Sequence, residues 1–281
     1  MNYDVLVTFR TKTPIFVISA LLLAACGSSH PARTSASTTT SQVTTTSTST
    51  STTTTSAPSG PAPAVASLNY VKTISSPSLL ANITYPELGG MASNSIQSNI
   101  NTAIKIAVRG YITSFESQLG EQSGLSPSGG SGSEQSQISG SFTTEFKDAK
   151  YVSFRFLITS YAAGAASPTT TVPTLTFDLA TGQQMTLSSL FANQSYLTTL
   201  SNLSRGQLQS TLGSAANVNQ IDGGTQPVPS NFADWNLTNK GLELSFSQGQ
   251  VAAVASGVVK IVIPYADLSG IAKNPGPLVS R

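Results

Sequence analysis

Chemically reactive side chains are scarce in this chain of 281 residues. It has one cysteine, Cys26, and one histidine, His30, and both lie near the N-terminus. The sequence beyond them therefore holds no Ser-His-Asp or Cys-His nucleophilic site and no zinc site with nitrogen or sulfur ligands. Without a pair of cysteines it also forms no internal disulfide. Carboxylates, hydroxyls and amines are the groups that remain for chemistry.

Two carboxylates can hydrolyse a glycoside without histidine or metal. Nine acidic residues are candidates for such a pair, and their spacing matches no catalytic pattern: Glu87, Glu116, Glu145, Asp148, Asp178, Asp222, Asp234, Glu243 and Asp267. The motifs S-x-x-K, G-x-S-x-G and G-x-x-x-x-G-K-[ST] are also absent. We therefore predict no catalytic residue, no metal site and no cofactor. A carboxylate-only glycan hydrolase stays open as the alternative.

The residues before Cys26 have the layout of a secretory signal. Arg10 and Lys12 precede the apolar run "PIFVISALLLAA" at 14–25, which is shorter than the roughly 20 residues that a membrane span needs. The stretch "LAAC" at 23–26 resembles the lipobox of bacterial lipoproteins, whose cysteine receives a diacylglycerol and becomes the first residue after cleavage. The resemblance implies a signal peptide at 1–25 and an anchor in the lipid bilayer through Cys26, on the extracytoplasmic face of the cell membrane. An ordinary secretory signal is the alternative.

A serine- and threonine-rich segment follows the cysteine. Of the 23 residues at 34–56, 20 are Ser or Thr and none is charged. Such a segment cannot bury enough apolar surface to offset its conformational entropy, so we predict a disordered tether over residues 26–66. Residues 67–281 carry 11 basic and 11 acidic side chains. This balance argues against nucleic acid as a partner.

Apolar spacing after residue 67 predicts an α+β fold with two main helices. A helical repeat runs over 94–119, where Ser93 or Asn94 could cap it and Gly120 would end it, and a second helical pattern runs over 188–212. Strand patterns occupy 68–74, 80–85, 141–146, 151–161, a hairpin at 173–187 and much of 232–271. The Gly/Ser-rich stretch 123–141 is predicted to be a loop. Trp235 is predicted to be a core residue, with a sugar-stacking platform as the alternative. We expect a largely antiparallel sheet covered on one face.

Two stretches resemble a known family. Residues 83–104, with Tyr85, Pro86 and Asn101, resemble the opening of a domain of bacterial peptidoglycan deacetylases that also occurs in the ectodomain of RsiV, a lysozyme-sensing anti-sigma factor. The later sequence resembles the RsiV-type C-terminal domain, which is also found in secreted immunogenic antigens of mycobacteria. The positions that carry this second resemblance are Tyr161, Gly164, Phe177, Asp178, Thr181, Gly182, Leu190, Phe191, Gly241, Leu242, Pro264 and Tyr265. The resemblance implies an N-terminal module at 67–160 and an RsiV-type module at 161–281, which could form one compact unit.

Two long loops form the predicted binding surface, because binding residues often lie on loops held by a rigid scaffold. They span residues 162–173 and 247–257, and pairing as in the resembled domain would bring them near one edge of the sheet. The candidate partner-binding residues are Tyr161, Gly164, Gln248 and Gln250. Tyr161 would supply a large amphipathic contact, unless it merely ends a strand.

These features predict a lipid-anchored, extracytoplasmic binding module of the cell envelope without catalytic activity. The expected partner is an envelope protein, a muramidase-type protein or cell-wall glycan such as peptidoglycan. A surface antigen or structural lipoprotein without a single ligand is a further alternative. The sequence makes no prediction of the oligomeric state.

Overall fold

The computed structural model of the protein describes residues 61–125 and 135–279. The predicted signal peptide, Cys26 and most of the predicted tether lie outside these residues. The predicted end of the tether at residue 66 is wrong, because Ala64–Ala66 already belong to the first strand and pair with Glu87–Gly89. All described residues belong to one compact unit.

Strands and helices alternate in blocks along the described part. In chain order the elements are β1 (Ala64–Ser75), β2 (Ser78–Gly89), α1 (Asn94–Leu125), β3 (Ser136–Lys147), β4 (Tyr151–Tyr161), β5 (Thr169–Thr171), β6 (Thr174–Asp178), α2 (Tyr196–Leu212), α3 (Val218–Gly224), β7 (Trp235–Leu237), β8 (Gly241–Phe246), β9 (Val259–Pro264) and α4 (Tyr265–Leu268). None of the described helices is long and apolar enough to cross a membrane.

The first sheet has the strand order β1-β2-β3-β4-β5, and β6 also pairs with β4. Within the described strands β2 and β3 form the one parallel pair, because α1 carries the chain back to the other end of the sheet between them. The other pairs in this sheet are antiparallel. This arrangement leaves β1 at one edge of the sheet, and β5 and β6 at the other.

Helix α1 covers one face of this sheet and completes the first core. Ser93 caps it, since the Ser93 Oγ accepts from Ile96 N at 3.3 Å. The helix buries one stripe of side chains: Ile100, Ile104, Val108, Ile112, Phe115 and Leu119. The expected end at Gly120 is wrong, because the helix continues to Leu125. A glycine ends a helix when it adopts a left-handed conformation, and Gly120 does not.

The second sheet, β7-β8-β9, is antiparallel and carries the second core. Leu242, Leu244 and Phe246 of β8 point to one face and are fully buried. Helix α2 packs over this face and buries Leu200 and Leu208. Trp235 is buried in the same core, as predicted.

The coarse fold prediction is therefore confirmed: α and β elements are mixed, and the strands are mostly antiparallel. One expected sheet is replaced by two. The predicted loop over 123–141 is wrong at both ends, because 123–125 belong to α1 and 136–141 to β3. Pairing with β2 recruits the start of β3, and Ile138 is buried there.

The two cores do not divide the chain at residue 160. Strands β5 and β6 follow that position and still pair with β4 in the first sheet. The first core extends to Leu179, and the second begins at Leu187 apart from a contribution from Phe146. The predicted module boundary stays a prediction.

Candidate functional site

The two predicted binding loops meet in the structure. The predicted loop over 162–173 is wrong in its second half, because Thr169–Thr171 pair with β4 as strand β5. Loop A (162–168) therefore connects β4 to β5, and loop B (247–258) connects β8 to β9. Gln248 of loop B accepts a hydrogen bond through its Oε1 from Thr170 N of β5 at 3.2 Å. Its Nε2 donates to Val254 O at 3.0 Å, which closes loop B on itself. Gln248 therefore links the two loop regions, and its side-chain amide is engaged at both ends.

Gln250 holds loop B against α3 and the following turn. Its Nε2 donates to Gly224 O at 3.2 Å and to Asn231 O at 3.0 Å, and its Oε1 accepts from Ser247 N at 3.1 Å. Gly224 permits this approach, because a Cβ there would lie 2.3 Å from Gln250 O. The geometry gives Gln250 a positioning role, and a binding role for it stays a prediction.

Tyr161 and Gly164 shape the start of loop A. Tyr161 is the last residue of β4 and is half-buried. Gly164 has a φ of 83°, a left-handed conformation that glycine adopts without strain. The turn around it closes through Ala165 N, which donates to Ala162 O at 2.9 Å. Both residues lie next to a cavity that loop A borders, although neither residue lines that cavity.

A cavity of about 360 Å³ lies between α1, the end of the first sheet and loop A. Seven of its lining residues bear a hydroxyl or an amide: Tyr111, Ser114, Gln118, Ser160, Ser167, Thr169 and Thr171. The other five are apolar: Phe115, Ile138, Ile158, Ala162 and Ala165. None of the lining residues is charged. This loop cavity is thus a neutral concave surface that combines hydroxyl groups with apolar groups.

Tyr111 is the aromatic group with a hydroxyl in the loop cavity. Its ring packs edge-on against Phe156, with 5.9 Å between the centroids. Burial raises the pKa of Tyr111, and the nearby negative charge of Asp234 raises it further. Tyr111 therefore stays a neutral hydrogen-bonding group at physiological pH.

Asp234 is a half-buried carboxylate directly before β7. Within the described residues its side chain has no ion pair and no hydrogen bond. Burial raises the pKa of Asp234 to about 7. Its charge state therefore changes near neutral pH.

A second group of polar residues joins the two sheets. We call it the polar seam (Glu145, Ser153, Arg155, Asn236, Glu243 and Lys260). Arg155 of β4 lies 2.7 Å from the Oε1 of Glu145 through its Nη2, and its Nε lies 3.4 Å from the Oε1 of Glu243 on β8. Lys260 Nζ reaches the Oε2 of Glu243 at 3.5 Å. Two carboxylates from the candidate list are thus brought together, but with a guanidinium between them.

The neutral part of the seam is a buried hydrogen-bond network. Asn236 Nδ2 donates to Ser153 Oγ at 2.8 Å and to Phe154 O at 3.0 Å, and Leu237 N donates to the same Oγ at 3.2 Å. Ser153 Oγ also lies 2.6 Å from Thr176 Oγ1. These contacts connect β4 and β6 of the first sheet with β7 of the second.

The sequence pattern assigns no role to Arg155, Asn236 or Lys260, because strand alternation indicates the direction of a side chain and not its partners. Burial raises the pKa of Glu243, while Lys260 and Arg155 lower it and Glu145 raises it. An acid that retains its proton beside an ionised one suits glycoside hydrolysis. Here, however, Arg155 and Lys260 contact Glu243, and the Glu243 side chain is only 8 % exposed. Little of this carboxyl group is therefore accessible to a glycoside.

Comparison with protein families matches residues 188–266 to DUF3298, a family described as a protein of unknown function. The match runs from the turn before α2 to α4, and so covers the second sheet and its helices. No curated protein sequence matches the chain significantly.

Two solved structures share the fold over most of the chain. A DUF3298 family member from Bacteroides fragilis is 16 % identical with a TM-score of 0.56, covering 78 % of this chain and 98 % of its own. A DUF3298 family protein from Pseudomonas aeruginosa is 12 % identical with a TM-score of 0.50, covering 75 % and 95 %. At these identities the comparison establishes the fold, and it extends the similarity beyond residues 188–266.

Proposed function

We propose that this protein is a lipid-anchored, non-catalytic binding module of the bacterial cell envelope, and that its loop cavity holds a neutral, hydroxyl-rich unit of cell-wall glycan. The observation that carries this proposal is the composition of the loop cavity. Its lining offers hydroxyl and amide groups for hydrogen bonds, beside apolar groups for the carbon faces of a sugar. Its volume of about 360 Å³ falls within the usual range of small-ligand sites.

The uncharged lining also favours binding over catalysis. Acid–base and nucleophilic reactions need a titratable group at the reacting atoms. The titratable residue in the loop cavity is Tyr111, and its pKa is raised by burial. The paired carboxylates of the polar seam lie elsewhere and are bound by Arg155 and Lys260.

A muramidase-type or envelope protein is the alternative partner. The resemblance of the chain to the ectodomain of the lysozyme-sensing RsiV supports it. Loops A and B would then contact such a protein directly, and the loop cavity would be part of the contact surface.

Blocking the loop cavity is expected to abolish glycan binding. Ala165 is an exposed residue of loop A whose side chain lines the cavity, so Ala165→Trp should fill its mouth without disturbing the core. We expect at least a tenfold loss of affinity, about 1.4 kcal/mol. The measurement is calorimetric titration with the N-acetylglucosamine trimer, together with sedimentation on insoluble peptidoglycan.

Ala163→Trp is the matched control, since Ala163 is exposed on the same loop and does not line the cavity. Equal binding by both variants would contradict the glycan site. If the wild-type protein captures a muramidase but binds no glycan, and Ala165→Trp abolishes that capture, the protein partner is favoured. Release of reducing ends from peptidoglycan, lost in Glu243→Gln, would favour the hydrolase.

Anchoring is tested independently of the ligand. Cys26→Ala should move the protein from the membrane fraction into the extracytoplasmic fluid, because a diacylglycerol supplies the two chains that stable attachment requires. Cell fractionation measures the shift, and mass spectrometry of the wild-type protein should show the lipid on Cys26. If the wild-type N-terminus carries no lipid, the lipobox interpretation is wrong and an ordinary secretory signal is the interpretation that remains.

A further inference from the structure

We propose that the groove between α2 and the outer edge of β9 binds an extended peptide with a basic side chain, which adds to β7-β8-β9 as a fourth strand. This peptide groove is separate from the loop cavity, and the proposal does not depend on the glycan site. It assigns a protein partner to the second sheet.

The edge of β9 is open for pairing. β9 is the outermost strand of its sheet and pairs with β8 through six residues. Within the described residues, the backbone of Val259–Ile263 forms no hydrogen bonds other than those with β8. In an antiparallel edge strand, alternate residues point their N–H and C=O groups outward. A row of such groups is a template for strand addition.

The peptide groove has the shape that one added strand needs. Its volume is about 760 Å³, and it runs along β9 at Lys260, Ile261 and Val262, opposite α2. Three residues of β9 line the groove, so they would pair with about three residues of an extended segment. Side chains of such a segment would alternate between the helix wall and the face that carries Glu243. Gly206 widens the helix wall, because a Cβ there would meet nothing within 4 Å.

The charges at the peptide groove favour a basic peptide. Glu243 is buried and already has two cationic partners, because Arg155 Nε lies 3.4 Å from its Oε1 and Lys260 contacts its Oε2. Asp267, at the far end, is exposed and forms no ion pair within the described part of the chain. Lys260 already contacts Glu243. An incoming lysine or arginine would therefore meet an unpaired carboxylate at Asp267.

Two other occupants fit less well. The predicted tether carries one charged residue, Arg33, and the residues on either side of it are small or polar rather than the alternating apolar residues of a strand. A second copy could offer the exposed edge strand β1, whose one charged side chain is Lys72. Lys72 already contacts Glu116 at 3.6 Å. Both occupants are distinguished by the experiment below.

The test is a titration of the purified protein with a designed peptide. The probe is an acetylated and amidated nonapeptide of alternating threonine and valine with a central lysine, followed by amide NMR shifts of β9 and α2. A second probe has alternate amides N-methylated on one edge, and a third on the other edge. We expect the unmodified probe to bind and one of the two methylated probes to lose at least tenfold in affinity, because only one edge of the peptide faces β9.

Gly206→Leu should fill the peptide groove and reduce probe binding at least tenfold, and it should not destabilise α2 since leucine favours helices over glycine. Gly110→Leu is the matched control, because Gly110 lies within α1 where a Cβ also meets nothing within 4 Å.

Asp267→Asn should weaken the lysine probe about threefold and leave a glutamine probe unchanged.

Several results would overturn the proposal. These are no binding of the unmodified probe at 1 mM, equal binding of all three probes, or equal loss in Gly206→Leu and Gly110→Leu. Self-association in sedimentation velocity that Gly206→Leu abolishes would assign the groove to a second copy instead. Shifts of β9 amides that depend on residues 26–56 being present would assign it to the tether.

Discussion

Replacing Arg155 with alanine is expected to lower the free energy of unfolding by about 3 kcal/mol. Arg155 neutralises both Glu145 and Glu243 in the polar seam, and the side chains of these two acids are 16 % and 8 % exposed. Without the guanidinium, Glu243 keeps Lys260 as a cationic partner, and Glu145 keeps none among the described residues. Removing one member of a buried ion pair costs more than the pair itself contributes, because the remaining charge stays desolvated.

Arg205→Ala is the matched control for this variant. Arg205 contacts Asp222 at 3.0 Å, but the two side chains are 35 % and 52 % exposed, so its loss should cost less than about 1 kcal/mol. Urea unfolding followed by circular dichroism measures both variants. Equal destabilisation by the two would show that the polar seam does not hold the two sheets together. Combining Arg155→Ala with Glu243→Gln should recover part of the loss.

Replacing Asp234 with asparagine is expected to stabilise the protein at pH 8 by about 1–3 kcal/mol and to give no gain at pH 4. Burial raises the pKa of Asp234 to about 7, well above its usual 3.8. At pH 8 the wild-type protein must keep a desolvated negative charge, and asparagine removes that cost. The full shift would correspond to about 4 kcal/mol, which we reduce because the side chain remains partly exposed.

The direction follows from proton linkage. A group whose pKa is raised in the folded state binds its proton more tightly there, so its contribution to stability is present below pH 4 and is lost as the pH rises through 7. The unfolding free energy of wild-type and variant should therefore diverge between pH 4 and pH 8. Asp267→Asn, at an exposed position, should change stability by less than about 0.5 kcal/mol at either pH. A gain for Asp234→Asn that does not depend on pH would contradict the assigned cause.

Several residues that carried the sequence resemblance turn out to be structural. Asn101 of α1 accepts from Leu88 N at 2.8 Å and donates to Leu88 O at 2.9 Å, which ties the helix to β2. Asp178 accepts from Ala180 N at 2.8 Å and so closes the turn after β6. A Cβ at Gly241 would lie 2.1 Å from Ile263 O, so β8 and β9 need glycine there. These contacts give Asn101, Asp178 and Gly241 a role in the fold, and none of the three lines the loop cavity.

Local pattern alone determined the elements whose residues interact mainly with near neighbours. The apolar stripe of α1 from Ile100 onward follows from its three- and four-residue spacing, because a regular helix places those residues on one side. The alternation in β4 gave its two faces for the same reason, with Phe154 and Phe156 buried on one side and Arg155 on the other. Composition likewise excluded histidine and cysteine chemistry beyond residue 30 without reference to any fold.

Tertiary structure alone decided which distant residues share a site. The loop cavity combines Tyr111 of α1 with Thr169 of β5, and the polar seam combines Arg155 with Glu243, nearly 90 positions later in the chain. No local spacing encodes such a pair, because strand order and the crossover of α1 determine which faces meet. Burial is decided in the same way: Asp234 resembles any other acid in the sequence, and only the packing around it raises its pKa.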